Sequence, residues 1–346
     1  MGRIVLITGV SRYLGARTAR TLSADPHVDL VVGVDVVPPP FDIGSTRFVR
    51  ADLRTPAIQQ VVASYGVDTI LHAGVLQTPA SAGGRAAMKE VNVLGTMQLI
   101  AACQRVPSVQ RLVIKGSTSV YGSSASAPAM FVESDDRFSS PRGDFSRDSV
   151  DVEEAARGLA RRRNDISVSI LRLANVIGPR ITTPLTRYFG LSVVPTILGF
   201  DARLQFLHED DAVASMHHAV LSEAKGAFNI GGDGVIPLSA AVARMGRPPL
   251  PMPGFLTAAT GALLGRVGLV DFAPENADFL KYGRVVDTTR MCEVLGFDPR
   301  FTTEQAFDAL VERVGGGLIG SDRIDRAEGA LRTAATAAIR VVDDRD

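Results

Sequence analysis

Short apolar runs alternate with helical patterns through the first half of the chain. "RIVLITG" (3–9), "LVVGVDV" (30–36), "TRFVRADL" (46–53), "TILHAGV" (69–75), "RLVIKGSTSVYG" (111–122) and "VSILRLANVIG" (168–178) are rich in β-branched residues and nearly continuously apolar. Strands covered on both faces carry that pattern. Between them the spacing predicts helices near 14–24, 56–65, 85–105 and 149–163. Such alternation predicts an α/β fold with a parallel, doubly wound sheet and right-handed crossovers. After about residue 178 proline, glycine and short apolar pieces break the rhythm. The expected organisation is a sheet domain over 1–178, to which 205–234 returns. A smaller lobe covers 179–204 and 235–315, and a polar helical tail covers 316–346.

Composition narrows the class. The chain has 346 residues, 46% of them hydrophobic and 21% charged, which is globular rather than disordered. The formal net charge is +0, against a nucleic-acid partner or an anionic membrane surface held by bulk electrostatics. The stretch 254–270 is interrupted by glycines and Arg266 and is too short to span a bilayer, so a packed helix is expected there. Cys103 and Cys292 lack metal-ligand spacing and are expected to be buried small hydrophobes, with no disulfide framework. The N-terminus enters a strand at once, so no signal peptide is expected, and a cytoplasmic location fits. Lysine is scarce: Lys89, Lys115, Lys225 and Lys281 are all of them.

The first chemistry-bearing motif is "LITGVSRYLGARTARTL", a strand, a tight turn and a helix start. Free N–H groups and partial positive charge at a helix N-terminus suit a pyrophosphate. Gly9 allows the tight turn and Gly15 lets the helix sit close to the strand. The spacing matches the outer positions of T-G-x-x-G-x-x-G, but the middle glycine is Arg12. Arg12 either swings out to meet a phosphate as a cation or partly closes the site. Asp35 ends the second strand, where a carboxylate accepts from ribose hydroxyls and repels a 2′-phosphate, favouring NAD over NADP. Asp52, after the third strand, is placed to meet an adenine with Leu53 packed on it, or to cap the next helix.

The ordered set "TGVSRYLG", "GVD", "ADLR", "LHAG", "VNVLGTMQL", "GSTSVYG", "LRLANVIGP", "FLHEDDA", "FNIGG" and "TTRMCEVLGFDPRFT" resembles the extended short-chain dehydrogenases. The nearest branch is that of UDP-glucose 4-epimerase and related nucleotide-sugar epimerases and dehydratases. The resemblance implies a Rossmann-type NAD-binding domain, a C-terminal lobe that holds a nucleotide sugar, and a homodimer paired through helices. It places Gly9, Ser11, Arg12, Tyr13, Leu14, Gly15, Asp35, Asp52, Leu53, Ser117, Asn175 and Val176 around the cofactor. His72, Ala73 and Gly74 would line its adenosine and ribose side, and the Asn92 amide would fix nearby backbone groups. On the substrate side it implies Asn175 and Arg284, the latter on the nucleotide phosphates. Arg180, Arg187 and Arg203 are loop arginines that could meet a diphosphate.

In that family a tyrosine takes the sugar hydroxyl proton, its pKa lowered by a lysine four residues later and helped by a Ser or Thr hydroxyl. Ser117 holds the hydroxyl position, with Thr118 next. The tyrosine and lysine positions hold Ser146 and Val150, or Phe145 and Ser149 in the adjacent register. No Y-x-x-x-K occurs anywhere in the chain. Two readings stand: a working enzyme with a substituted base, for which Asp148, Asp151, Glu154 and Tyr121 are candidates, or a non-catalytic NAD-binding sensor, scaffold or partner subunit. "LHEDDA" (207–212) is expected to cap a helix, with no metal.

Overall fold

A computed structural model describes residues 2–78, 83–135, 143–253 and 274–314. The apolar stretch 254–270 and the tail 316–346 lie outside the described residues. In chain order the elements are β1 (Arg3–Thr8), α1 (Tyr13–Ser23), β2 (Val28–Asp35), β3 (Arg47–Arg50), α2 (Ala57–Ser64), β4 (Thr69–His72), α3 (Arg85–Lys89), α4 (Gly95–Arg105), β5 (Arg111–Ser117), α5 (Asp144–Arg162), β6 (Ser167–Leu173), β7 (Asn175–Ile177), α6 (Pro184–Phe189), β8 (Val194–Ile197), β9 (Arg203–Leu204), β10 (Phe206–His208), α7 (Glu209–Leu221), β11 (Gly226–Ile230), β12 (Ile236–Pro237), α8 (Leu238–Arg244) and β13 (Pro249–Met252). Two further helices, Pro274–Tyr282 and Thr303–Val314, complete the described chain.

Seven strands form one parallel sheet in the order β3-β2-β1-β4-β5-β6-β11. This is the Rossmann-type arrangement, with β11 paired to β6 at one edge. Strand alternation assigns each apolar side chain to one of two covers. Leu6, Ile70, Leu112, Ile114 and Ile170 pack under α2, α4 and α5. Val5, Ile7, Leu71, Val113 and Leu171 pack under α1 and α7. A third cluster joins Tyr188, Phe189, Leu204, Phe206, Ile236, Leu238, Phe279 and Phe307 in the smaller lobe.

Three elements differ from the sequence pattern. The run 168–178 breaks at Ala174: β6 stays in the sheet, while β7 turns away to pair with β10. The run 111–122 ends at Ser117, whose Oγ accepts from the Ser119 N–H (3.1 Å) and caps a 3₁₀ turn, Thr118–Tyr121. The helical stretch 85–105 contains a wide turn at Glu90–Leu94. There the Asn92 amide accepts from Leu76 N–H (2.7 Å) and donates to its carbonyl (2.9 Å). Cys103 is buried, but Cys292 is exposed, because Met291 and Leu295 are the residues of its turn that face inward.

Two buried polar links fasten the strand ends. His72, at the end of β4, joins Thr8 Oγ1 (Nδ1, 2.7 Å) and Thr96 Oγ1 (Nε2, 2.9 Å). Thr96 donates its own proton to the Asn92 carbonyl, so His72 Nε2–H donates to Thr96 and Nδ1 accepts from Thr8. Burial, and secondarily the positive charge of Lys115, push the His72 pKa down to about 4. The second link is Arg172 on β6, 1% exposed. Its Nη2 meets Glu153 Oε2 of α5 at 2.7 Å, and its Nη1 donates to Tyr121 Oη (2.7 Å) and the Glu133 carbonyl (3.0 Å).

Both links predict measurable behaviour. His72 titrates near 4 in the folded chain and near 6.5 unfolded, so the unfolded state binds more protons between those values. Its stabilising contribution is complete above about pH 6.5 and is lost as pH falls toward 4. Unfolding midpoints at pH 7 and pH 5 should therefore drop more in the native chain than in His72→Gln; equal drops would refute this. Arg172→Met strands a buried carboxylate and should cost about 3–5 kcal/mol in urea unfolding, much of it recovered in the double variant with Glu153→Met. A loss below about 1 kcal/mol would contradict the buried-pair reading.

Candidate active site

The sheet order reverses between β1 and β4, and such reversals leave a crevice beyond the strand ends. The cleft here opens there and runs to the smaller lobe, lined by α1, β5, β7, α6 and the segment 276–284. At its phosphate-turn end Gly9 adopts φ +78°, and a Cβ on it would lie 2.6 Å from Gly74 Cα. A Cβ on Gly15 would run into the Gly9 carbonyl. Both positions therefore require glycine. Arg12 is the N-cap of α1 but supplies no side-chain cap. The first-turn N–H groups of α1 thus face a cleft lined by Arg12, Tyr13, Leu14 and Gly15.

The rest of the expected cofactor set divides into lining and support. Asp35 Oδ2 accepts from Ser11 N–H (3.0 Å) and Ser11 Oγ (2.5 Å), tying the end of β2 to the turn. Ala73, Ser117, Asn175 and Val176 line the cleft. His72, Gly74 and Asn92 support it from beneath: Gly74 N–H donates to Thr8 Oγ1 (3.2 Å), and Asn92 holds Leu76. Two expectations need correction. Asp52 does not cap α2, whose N-cap is Pro56; the Arg54 side chain grips it at 2.7 Å and holds its carboxyl below the usual range. Leu53 belongs to the core under α2 and α4, against Gly95, where little of it is left for an adenine.

The candidate bases are also corrected. Asp148 is fully buried on α5 and is held by both terminal nitrogens of Arg85 (2.7 and 2.8 Å) and by Asn92 Nδ2 (3.1 Å). Tyr121 is 3% exposed, stacks on Phe131, donates to Asn229 Oδ1 (2.7 Å) and accepts from Arg172. Burial pushes its pKa up to about 12, so it is no proton acceptor at neutral pH. Neither residue reaches the cleft, and Thr118 is likewise buried away from it. From the expected tyrosine helix it is Phe145, not Ser146, that lines the cleft.

At the substrate end Arg284 lines the cleft, donating through Nε to the Gly122 carbonyl (2.8 Å) and through Nη2 to Ser123 Oγ (3.2 Å). Exposed Arg187 lines it from α6. Arg180 and Arg203 do not: both are exposed, and Arg203 reaches the Ala129 carbonyl (3.2 Å) instead. His208 caps α7, accepting from Asp210 N–H (3.2 Å), while Glu209 accepts from Arg180 and Ile181 N–H groups. Among the described residues no group of three or more His, Cys, Asp or Glu could hold a metal, and no helix is long and apolar enough to cross a membrane.

Among the lining residues not singled out from the sequence are Ser119 and Lys115. Ser119 has its hydroxyl buried without a partner. Lys115, on β5, is 8% exposed and makes no hydrogen bond or ion pair among the described residues. Its spacing was the available signal: it lies two residues before Ser117, hence on the same face of the strand. The described charged residues lining the cleft are then Arg12, Lys115, Arg187 and Arg284, with no carboxylate among them.

Comparisons with known proteins agree with this architecture. The chain is 46% identical over 314 residues to an uncharacterised protein of Mycobacterium tuberculosis (strain H37Rv), covering 88% of this chain and 82% of that one. The fold superposes on UDP-glucose 4-epimerase of Thermotoga maritima, solved with UDP-glucose, at TM-score 0.69 and 17% identity, covering 90% of this chain and 98% of that one. MoeE5, solved with UDP-glucuronic acid and NAD, gives TM-score 0.66 and 23% identity over 89% of this chain and 98% of that one. The model of the NAD dependent epimerase/dehydratase family matches residues 5–231, so the glycine turn, the sheet and the cleft above it are those of a member, and the chain belongs to that family.

Proposed function

We propose that the cleft binds NAD at the phosphate-turn end and a nucleotide sugar at the smaller lobe, and that the chain is an epimerase- or dehydratase-type oxidoreductase. One observation carries this reading: the described lining has four cations and no carboxylate. Such a lining suits two diphosphates placed in series. The residues present fit the dinucleotide. Gly9 and Gly15 are sterically required to be bare, and the first turn of α1 lacks a side-chain cap. Asp35, held by Ser11, ends β2 where a ribose would be read.

When bound, NAD supplies a hydride acceptor that can return what it takes. The chain's own residues do the rest. Tyr13, Leu14 and Gly15 offer backbone N–H groups to the pyrophosphate. Ser117 presents its hydroxyl toward the reacting end, with Asn175 and Val176 beside it. Arg284, fixed by Gly122 and Ser123, holds the diphosphate of the sugar nucleotide. A positioned acid–base is worth about 10²–10⁴ in rate, so turnover without the tyrosine–lysine pair should be slow.

A second reading, a non-catalytic NAD-binding subunit, is favoured by one fact. Two of the candidate bases, Asp148 and Tyr121, are committed to Arg85, Asn229 and Arg172. NMR of the protein with excess NAD and a panel of UDP- and dTDP-sugars, followed over hours, separates the two. NAD-dependent change of a sugar that Ser117→Ala abolishes supports the enzyme. Unchanged sugars beside demonstrated NAD binding support the subunit. In either case Arg284→Met should weaken nucleotide-sugar binding roughly tenfold or more, with NAD affinity unchanged. Equal weakening of both would remove Arg284 from the sugar-nucleotide end.

A further inference from the structure

Burying an ammonium group without a partner is costly, and such a group normally shifts its pKa or acquires a counter-ion. Most buried charges of this chain obey that rule. Arg172 faces Glu153 and Asp148 faces Arg85. Lys115 does not. It is 8% exposed, no carboxylate oxygen lies within 4 Å of it, and it makes no hydrogen bond among the described residues. It lines the cleft beside the phosphate turn.

Its orientation follows from the strand. Gly116 faces α5, since a Cβ there would lie 3.5 Å from Glu153 Oε1. Lys115 therefore faces the opposite side with Val113, the side of the sheet covered by α1 and α7. Two charged or titratable groups act on it or respond to it, Arg12 on the phosphate turn and His72 on β4. Tyr13 lines the same cleft, and Glu209 stands on α7 behind it. His72 is neutral above about pH 4. Tyr13 donates to Glu209 Oε1 (2.8 Å), and the second Glu209 oxygen accepts from two backbone N–H groups. Arg12 is of like charge and lies near enough to disfavour the ammonium. Arg12 and Lys115 share one cleft whose described lining carries no carboxylate, and such a lining suits an anion.

We propose that Lys115 is a cofactor-contacting residue: from the floor of the cleft its ammonium provides the counter-charge for the diphosphate of the bound dinucleotide. This rests on the NAD reading above. Where the turn carries Arg12 in place of a glycine, the phosphates are met by two side-chain cations as well as by backbone. Burial, and then Arg12, push the Lys115 pKa down to about 8. A bound diphosphate favours the ammonium and raises that value. NAD affinity is therefore level below about pH 8 and falls as pH rises through the free-state value.

Four lysines make the test direct. In protein labelled at lysine Cε, the signal lost in Lys115→Met is assigned, and its pKa is read by NMR titration without ligand, with saturating NAD, with ADP-ribose and with adenosine. NAD and ADP-ribose should each raise the Lys115 pKa by about one unit or more, and adenosine should leave it unmoved. By calorimetry Lys115→Met should bind NAD roughly 10- to 100-fold more weakly at pH 7. It should be no less heat-stable without cofactor, since it removes an unpaired buried charge. Lys115→Arg should keep the affinity and lose its decline above pH 8. NAD binding with an unmoved Lys115 pKa, or with undiminished affinity in Lys115→Met, overturns the proposal and leaves the NAD reading standing. Absence of NAD binding to the native chain by calorimetry overturns both.

Discussion

The order of the central sheet reverses between β1 and β4, and the cleft exists because of that reversal. Crossovers from the two strands run in opposite directions, so their loops diverge beyond the strand ends. The strands must nevertheless stay close, and two features hold them. Gly9 and Gly74 approach within a distance that no Cβ would allow. Beneath them His72 bridges Thr8 of β1 to Thr96 of α4, a connection that works only for a neutral imidazole donating at one nitrogen and accepting at the other. The Asn92 grip on Leu76 carries the same rigidity to the loop after β4. The positions of Arg12, Ala73 and Lys115 in the lining follow from this packed junction.

Charge is distributed unevenly around it. On the α5 side of the sheet the buried ions are matched: Arg172 with Glu153, Asp148 with Arg85. These pairs fix α5 against β6 and α3, and Arg85 and Arg172 also engage Asp148 and Tyr121, two of the candidate bases. On the cleft side the described lining carries cations and no carboxylate. The chain belongs to the NAD dependent epimerase/dehydratase family, and no Y-x-x-x-K occurs in it. The β5 end of the cleft carries Ser117, Ser119 and Lys115.

Much of this was legible in the sequence because it is local or periodic. Strands covered on both sides leave continuous apolar runs, so β1, β2, β4, β5 and β6 could be read directly. The glycine turn is a contiguous motif whose steric demands need no distant partner. The ordered motifs fixed the family. The states of single polar residues were decided by the tertiary structure, because their partners are far along the chain. Asp148 is held by Arg85 and Asn92, and Tyr121 by Asn229 and Arg172. Asp52 looked like a helix cap because the turn that gives it to Arg54 leaves no trace in hydropathy. Arg180 and Arg203 carry the charge of phosphate ligands, but the path of the loops points them elsewhere. Lys115 reads as one polar residue in an apolar strand. Only the tertiary fold buries it in one cleft with Arg12, without a counter-ion among the described residues, because burial and pairing are properties of neighbours in space rather than in sequence.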